Sequence, residues 1–287
     1  LKENINFKIP ILIEKPIFKS FIDFEKLEEL SKRNIFLNLE YFNAYYIEDL
    51  KREINFCTLK NIRIIWHDPL IEKRVDSIKF SEVFTSIFSD QLLHIISILK
   101  RIGISADGLK LTNLITSKNS RIVELINLYK NVEIKFSISR FSKQRERKII
   151  INDSLELDFT KEPLLKKNDK LKPQIIKKGK RLMPIAKTLE MFLNINNKND
   201  KRPLSIDSLI PEIKYCFNCQ DLFLNKIEME INNIKDQKYI TKIGLPRYAY
   251  FLGIKYYQLN FIDRNNPIHF QKGYIGLKNL IKWGKTL

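Results

Sequence analysis

The sequence predicts an α+β protein with a mixed sheet, and four segments support this prediction. Residues 131–141 alternate between apolar and polar side chains, which indicates a strand with one buried face. Residues 81–103 carry apolar side chains at helical spacing and end on a glycine, as helices often do. Residues 61–67 and 108–116 have strand-like patterns on either side of that helix. The order of strand, long helix and strand, with a further strand after it, predicts the α+β class.

The remaining segments have shorter or less regular patterns. Residues 23–34 predict an amphipathic helix, and residues 35–42 predict a strand directly after it. Two more helical patterns occupy residues 184–195 and 208–234. Residues 160–181 are basic, contain two prolines and have few strong core residues, so they predict either a linker or an extended arm.

The charge of the chain predicts an anionic partner. The 287 residues include 51 Lys and Arg against 33 Asp and Glu, which gives a net charge of +18. Such a charge repels itself in a compact protein, and contact with a polyanion relieves that repulsion. Nucleic acid fits best, because each neutralised phosphate releases counterions, and an anionic membrane surface is the weaker alternative. Since 44% of the residues are hydrophobic, a buried core is also expected.

Two basic runs are the strongest physical signal for such contacts. RFSKQRERK begins at the end of the strand 131–141, and KKGKR lies in the proline-containing segment. Guanidinium groups bind phosphates in a forked geometry, and a basic arm can follow a phosphate backbone. The alternative is a solvated loop that its charge keeps soluble. The residues for which we predict phosphate contact are Arg140, Lys143, Arg145, Arg147, Lys148, Lys177, Lys178, Lys180 and Arg181.

The cysteine spacing allows only half of a metal site. Cys216 and Cys219 form a C-x-x-C pair, which would need two further ligands from Cys57, a histidine or another chain. The pair falls within a helical pattern beside apolar residues, so buried structural thiols are the favoured interpretation. We therefore predict no bound metal. Three cysteines in 287 residues also favour a reducing compartment over a disulfide framework.

The sequence contains no recognisable catalytic motif. It has no G-x-S-x-G, Walker loop, H-E-x-x-H or dinucleotide-binding fingerprint, and its three histidines are scattered. From this we predict no catalytic residue, no cofactor, no small-molecule substrate and no enzymatic activity.

The segment GYIGLKNLIKWGKTL at residues 273–287 fits either a helix or a strand by periodicity alone. Its GYIG has the shape of the RNA-clamping GxxG loop of KH domains, although the two middle residues are apolar and only eleven residues follow. The segment resembles the close of the KH-containing protein of the small ribosomal subunit, the third in the bacterial series. The positions in register are Gly273, Ile275, Gly276, Lys278, Ile281 and Gly284, preceded by Ile262–Asp263.

That resemblance implies a division of the chain into four parts. Residues 1–103 would be a KH-like portion that has FKSF where the GxxG loop is expected, and residues 104–141 would begin a small mixed sheet domain. Residues 142–240 would be a basic and helical insertion, and residues 241–287 would supply the closing strands. On the same resemblance, three further lysines would face rRNA, namely Lys278, Lys282 and Lys285.

The resemblance implies a structural constituent of an organellar small ribosomal subunit near the mRNA entry side. Its partners would be rRNA and neighbouring ribosomal proteins, with a membrane partner disfavoured. The residue usage, with only four alanines and eight glycines, is typical of AT-rich organelle genes and predicts a mitochondrial matrix location. Two alternatives stay open at this point: another ribosomal or ribosome-associated protein, and a matrix-side accessory subunit of a respiratory membrane complex.

Overall fold

The computed structural model of the protein describes residues 9–15, 29, 34–69, 71–73, 78–80, 86–116, 122–167, 173–194 and 204–232. The strands are β1 (Ile11–Ile13), β2 (Ile35–Leu37), β3 (Asn61–Pro69), β4 (Ile71–Lys73), β5 (Ile78–Phe80), β6 (Leu109–Thr116), β7 (Val123–Tyr129), β8 (Val132–Ser142), β9 (Glu146–Ile151), β10 (Leu155–Asp158), β11 (Leu164–Lys167) and β12 (Gln174–Ile175). The α-helices are α1 (Tyr45–Glu53), α2 (Leu93–Ile102), α3 (Pro184–Leu193) and α4 (Ile206–Asn232).

One large mixed sheet dominates the described part of the chain. Its eight strands lie in the order β12-β11-β10-β9-β3-β8-β7-β6. Only β3 and β8 run parallel, and every other neighbouring pair in this sheet is antiparallel. Two meanders, β6-β7-β8 and β9-β10-β11-β12, therefore lie on either side of β3. The α+β class is confirmed, while the mixed sheet is a single large one and not the small one that was predicted.

The two central strands have one apolar and one polar face because their side chains alternate. Ile64 and Trp66 of β3 lie beside Phe136 and Ile138 of β8, and all four are almost fully buried. Burying one such side chain contributes about 1.5–3 kcal/mol. Arg63, His67, Lys135 and Ser137 occupy the opposite face of the same strands, as the register requires. The predicted alternation in residues 131–141 is thus confirmed.

Helix α2 is buried between the sheet and the other helices. All of its residues except Lys100 and Arg101 are buried. It ends at Gly103, whose φ of 102° lies in the left-handed region and whose N–H donates to the carbonyls of Leu99 and Lys100. Before α2, residues Phe88–Leu92 form one turn of π-helix. The helix predicted over residues 81–103 is confirmed from Phe88 to its end at Gly103, with its first turn wider than an α-helix. Residues 81–85 lie outside the described residues.

Other local predictions have mixed outcomes. The helices predicted at 184–195 and 208–234 are confirmed as α3 and α4. The strand predicted at 35–42 stops at Leu37, and residues Glu40–Asn43 form a 3₁₀ turn instead. Within 160–181, strands β11 and β12 extend the edge of the large sheet.

The predicted parts of the chain share the large sheet. Strand β3 comes from residues 1–103, β6 and β7 from 104–141, and β9–β12 from 142–240, and the boundary at residue 142 coincides with the end of β8. The predicted helix at 23–34 lies almost entirely outside the described residues. The segments 241–287 and 273–287, with Lys278, Lys282 and Lys285, lie wholly outside them.

Candidate functional site: a cationic pocket

A pocket of about 340 Å³ opens where α1 and the end of α2 meet the segment that leads into α3. Its volume is at the lower end of the range typical of small-molecule sites. Three separate stretches of the sequence form it. Its lining residues are Asn43, Tyr45, Glu48, Arg52, Arg101, Lys180, Arg181, Leu182, Lys187, Glu190 and Met191.

The lining is strongly cationic. It contains five Lys and Arg side chains but only Glu48 and Glu190 as carboxylates, with Asp49 immediately beside it. Arg101 pairs with Glu48, and Lys187 pairs with Glu190. Five cations against the carboxylates of Glu48, Glu190 and Asp49 leave an excess of two positive charges, so an anion that enters the pocket gains more Coulomb attraction than repulsion.

Arg181 is held in place as part of the pocket wall. Its Nη1 donates to both carboxylate oxygens of Asp49, at 2.9 and 2.7 Å. Its guanidinium carbon lies 4.6 Å from the ring centroid of Tyr45, which is a cation–π contact. A guanidinium fixed by a carboxylate and an aromatic ring loses little side-chain entropy when it binds an anion.

Asn43 joins two parts of the pocket wall through hydrogen bonds. Its Nδ2 donates to Thr188 Oγ1 at 2.9 Å, while the hydroxyl of Thr188 donates to the carbonyl of Pro184 at 3.1 Å. This chain fixes the orientation of the Asn43 amide and ties α3 to the turn before α1. Asn43 is 6% exposed, and its Oδ1 is buried without a hydrogen-bond partner among the described residues. Because that oxygen is also inaccessible to solvent, it lies behind the pocket surface and does not face a ligand in the pocket.

Of the basic residues predicted from sequence, two line this pocket and two lie close to it on the same segment. Lys180 and Arg181 are part of the lining, and Lys177 and Lys178 are exposed just before them. Lys143 is exposed at the end of β8. Contact of these exposed residues with an external anion stays a prediction.

The arginines of the first basic run instead make ion pairs inside the protein. Arg140 is 3% exposed and pairs with Asp90. Arg145 contacts Asp68 at 3.1 Å and Glu72 at 3.0 Å, while Arg147 contacts Asp68 at 2.9 Å. Lys148, which follows on β9, contacts Glu146 at 3.0 Å. These cations neutralise carboxylates of their own chain.

Asp68 is the centre of this ion-pair cluster. Burial would raise the pKa of its carboxyl, but Arg147, a hydrogen bond from Gln91 and Arg145 together hold that pKa below its usual value. Gln91 Nε2 donates to Asp68 at 2.9 Å, and the guanidinium of Arg147 lies 4.4 Å from the ring centroid of Trp66. The run RFSKQRERK therefore folds inward because acidic residues on β3 and β4 face it.

Sequence reasoning missed most of the pocket. Asn43, Tyr45, Glu48, Arg52, Arg101 and Lys187 were not among the predicted site residues. Each is an ordinary residue in its own segment, and only the packing of α1, α2 and α3 brings them together. The basic residues in the last turns of α1 and α2 were the one local signal, and such residues equally serve to stabilise helix ends.

The C-x-x-C pair lies inside α4 and is buried. Burial raises the pKa of Cys216 well above its usual value and raises that of Cys219 to about 12, so both thiols stay protonated and unreactive. Within the described ranges, no cluster of three His, Cys, Asp or Glu side chains could hold a metal ion.

Comparison with known proteins identifies a shared fold. No protein-family model and no curated protein matches the chain. Solved structures do match it. A Gfo/Idh/MocA family oxidoreductase from Vibrio cholerae is 13% identical with a TM-score of 0.53, over 76% of this chain and 72% of that one. A dehydrogenase from Clostridium difficile is 14% identical with a TM-score of 0.53, over 79% and 72%.

A third match names its substrate. It is the UDP-N-acetylglucosamine 3-dehydrogenase from Acidithiobacillus ferrooxidans, which is 12% identical with a TM-score of 0.52 over 75% of this chain and 70% of that one. At these identities the likeness establishes the fold alone. The chain therefore shares a fold with these three solved structures over about three quarters of its length.

These matches contradict the predicted resemblance to the KH-containing ribosomal protein. We predicted an rRNA-binding constituent of the small ribosomal subunit, with ribosomal partners and a role in translation, and this prediction was therefore wrong. The alternative of a respiratory accessory subunit finds no support either. The terminal motif matched at only a few positions, whereas the fold match spans about three quarters of the chain. The predictions of a non-enzyme without a small-molecule substrate are contradicted too, since the matching solved structures named above are dehydrogenases and an oxidoreductase. The mitochondrial location stays a prediction.

The fold raises the question of a nicotinamide dinucleotide, the usual hydride carrier of dehydrogenases. Such cofactors place their pyrophosphate on a glycine-rich turn between a strand and a helix. The eight glycines of this sequence include no two that are separated by a single residue, so the G-x-G-x-x-G turn is missing. Residues Glu14 and Lys15 follow β1 where such a turn would begin. The residues present do not fit a dinucleotide held in that way.

Proposed function

We propose that this chain is an enzyme of the oxidoreductase fold class that binds a small molecule carrying a phosphate or carboxylate group and at least one hydroxyl. The single observation behind this proposal is the cationic pocket, where five Lys and Arg side chains surround a cavity of about 340 Å³. The fold supports the small-molecule class, because the matching solved structures are dehydrogenases and oxidoreductases.

Two kinds of side chain in the pocket lining define the ligand. Arg52, Arg101 and Arg181 present guanidinium groups that suit the oxygens of a phosphate or carboxylate. The carboxylate of Glu190 in the same lining accepts hydrogen bonds and therefore suits a donor such as a sugar hydroxyl. A phosphorylated sugar has both groups. One protein with this fold acts on UDP-N-acetylglucosamine, in which a diphosphate and a sugar are joined, so we include nucleotide sugars in the proposed class.

Calorimetric titration of the full chain tests this proposal. The probes are UDP-N-acetylglucosamine, inorganic pyrophosphate, NAD⁺ and neutral N-acetylglucosamine. We expect the phosphate-bearing sugar to bind, and the neutral sugar to bind at least tenfold more weakly. Arg181→Ala should weaken the phosphate-bearing probe by about 10- to 100-fold, since a hydrogen bond to a charged group contributes about 1.5–3 kcal/mol.

Lys177→Ala is the matched control. Lys177 is a cation on the same segment but does not line the pocket, so its loss should change affinity less than twofold. Equal binding of charged and neutral sugars would contradict the proposal, as would equal effects of the two substitutions. Binding of NAD⁺ that Arg181→Ala abolishes would support it and identify the pocket as a pyrophosphate site.

A further inference from the structure

Three polar side chains meet on the polar face of the central strands, away from the cationic pocket. His67 Nε2 lies 2.9 Å from Ser137 Oγ, and His67 Nδ1 lies 3.8 Å from an oxygen of Glu146. The three residues come from β3, β8 and β9, which are neighbours in the sheet. None of them lines the cationic pocket.

The strand register explains why these side chains meet. Glu146 lies directly opposite His67 in the antiparallel pair β3–β9, so their side chains share a face. Ser137 lies opposite Ile65 in the parallel pair β3–β8, and Ile65 is two residues before His67 and on the same face. The imidazole therefore reaches diagonally to Ser137 while its other nitrogen points towards Glu146.

The protonation state suits a base. Burial lowers the pKa of His67 below its usual value, although the carboxylates of Glu146, Asp68 and Glu124 each act in the opposite direction. The imidazole is therefore neutral at pH 7 and has one nitrogen free to accept a proton. With the Nδ1 proton directed at Glu146, Nε2 accepts the hydroxyl proton of Ser137.

We propose that Ser137, His67 and Glu146 form a second reactive site, in which Ser137 is a nucleophile towards small carboxylic esters. A nucleophile within 2.6–3.2 Å of a base, and a third group that orients the base, is the arrangement from which activated serines are recognised on unrelated folds. The contact of 3.8 Å to Glu146 is longer than a hydrogen bond, as such contacts often are before a substrate binds.

The reaction balances without any further cofactor. Ser137 Oγ attacks the ester carbonyl carbon and forms a new C–O bond, while its proton passes to His67 Nε2. The bond to the alcohol then breaks, and the leaving oxygen takes the proton from Nε2. Water attacks the acyl-serine by the same two steps, which releases the acid and restores Ser137. Glu146 is a positioning residue that orients the imidazole and stabilises its charged form.

Lys135 supplies positive charge beside the nucleophile. It precedes Ser137 by two residues on β8, so it lies on the same face at a Cα separation of roughly 7 Å. An ammonium group there favours the negative charge that develops on the carbonyl oxygen.

A fluorophosphonate probe on the full chain at pH 7 tests the proposal. Attack by Ser137 Oγ forms a P–O bond, expels fluoride and transfers the proton to His67. We expect mass mapping to place the label on Ser137 in the native protein and not in urea. Ser154, which is exposed in the turn between β9 and β10, should remain unlabelled as an internal control. Equal labelling of both serines, or no label on Ser137, would overturn the proposal.

Two substitutions separate a reactive site from a structural hydrogen bond. His67→Gln keeps a polar side chain next to Ser137 but should slow labelling at least about 100-fold, because general bases contribute roughly 10²–10⁴. Glu146→Gln should move the midpoint of the pH–rate profile to lower pH, since its carboxylate raises the pKa of His67. Lys148, Glu124 and Asp68 also face this imidazole and stay unchanged in both variants. A pH midpoint that stays fixed in Glu146→Gln would refute the role of Glu146.

Discussion

Replacing Asp68 by Asn tests whether the inward-facing basic run stabilises the fold. The Asp68 carboxylate receives contacts from Arg147 at 2.9 Å, Arg145 at 3.1 Å and Gln91 at 2.9 Å. Its side chain is 15% exposed, and that of Arg147 is 13% exposed. The substitution keeps the shape of the side chain but removes the only charge that all three groups share.

The expected loss follows from the burial of the cluster. Removing one member of a fully buried ion pair costs about 3–5 kcal/mol, because the remaining charge has no counterpart. Here Arg145 keeps its contact with Glu72 at 3.0 Å, and Arg147 keeps its hydrogen bond to the Tyr41 hydroxyl. Partial exposure also screens the remaining charge. We therefore expect Asp68→Asn to lower the free energy of unfolding by about 2–3 kcal/mol.

Urea unfolding at pH 7 gives the magnitude, and Asp153→Asn is the matched control. Asp153 pairs with Arg63 at 3.4 Å, but their side chains are 66% and 49% exposed. Its φ of 55° is a conformation that Asn also adopts readily, so this change should cost less than about 0.5 kcal/mol. Equal losses in the two variants, or a loss below about 1 kcal/mol for Asp68→Asn, would refute the reasoning.

The pH dependence of that loss gives a second readout. The folded state lowers the pKa of Asp68 below 3.8, so the carboxylate stabilises the protein at any pH above its unfolded value. This contribution is lost as the pH falls through the lower, folded value. The difference between the wild-type protein and Asp68→Asn should therefore be constant from pH 7 to about pH 5 and shrink below about pH 4.

Two further predictions concern α2 and its end. Burial, Lys15 and Arg147 lower the pKa of His94 well below 6.5, against the effect of Asp90, so the free energy of unfolding should fall as the pH drops below 6.5. In urea titrations at each pH, His94→Phe should remove most of that slope between pH 6.5 and 5, and His67 should account for the rest. Gly103→Ala should lower the free energy of unfolding by about 1–2 kcal/mol because φ is 102°, whereas Gly103→Asn should cost less. The Cβ of either variant would lie 3.6 Å from Phe56, which is an ordinary contact, so equal losses would point to crowding instead of backbone strain.

The parts of the fold that the sequence predicted are those with a strong local period. Strand β8 alternates from Val132 to Ser139, and helices α3 and α4 carry apolar side chains at helical spacing. In the π-helical turn, Phe88 and Leu92 are four residues apart, which continues the apolar spacing of the helix after it, so periodicity does not distinguish the turn. Strands β11 and β12 have four and two residues, which is too short for a period to show. Their pairing depends on the neighbouring strands.

The pocket could not be predicted from the sequence for a different reason. Its lining comes from residues 43–52, 101 and 180–191, so its chemistry exists only after helices from distant segments have packed. The triad of Ser137, His67 and Glu146 depends in the same way on the order of three strands. A parallel β3–β8 pair with β9 on its other side is a long-range choice that alternation within one strand does not encode.

The net charge of +18 led to the wrong partner because its distribution was unknown. Nucleic acid requires cations that project together from a surface, and a run such as RFSKQRERK meets that requirement only in an extended chain. In the fold, Asp68, Glu72 and Asp90 lie opposite its three arginines and neutralise them. The cations that surround a cavity belong to α1, α2, α3 and the segment before α3. A cavity of 340 Å³ suits a small anion and not a polymer. The net charge of a sequence therefore indicates attraction to anions. Whether that anion is a polymer or a small molecule depends on which cations the fold pairs with its own carboxylates and which it places around a cavity.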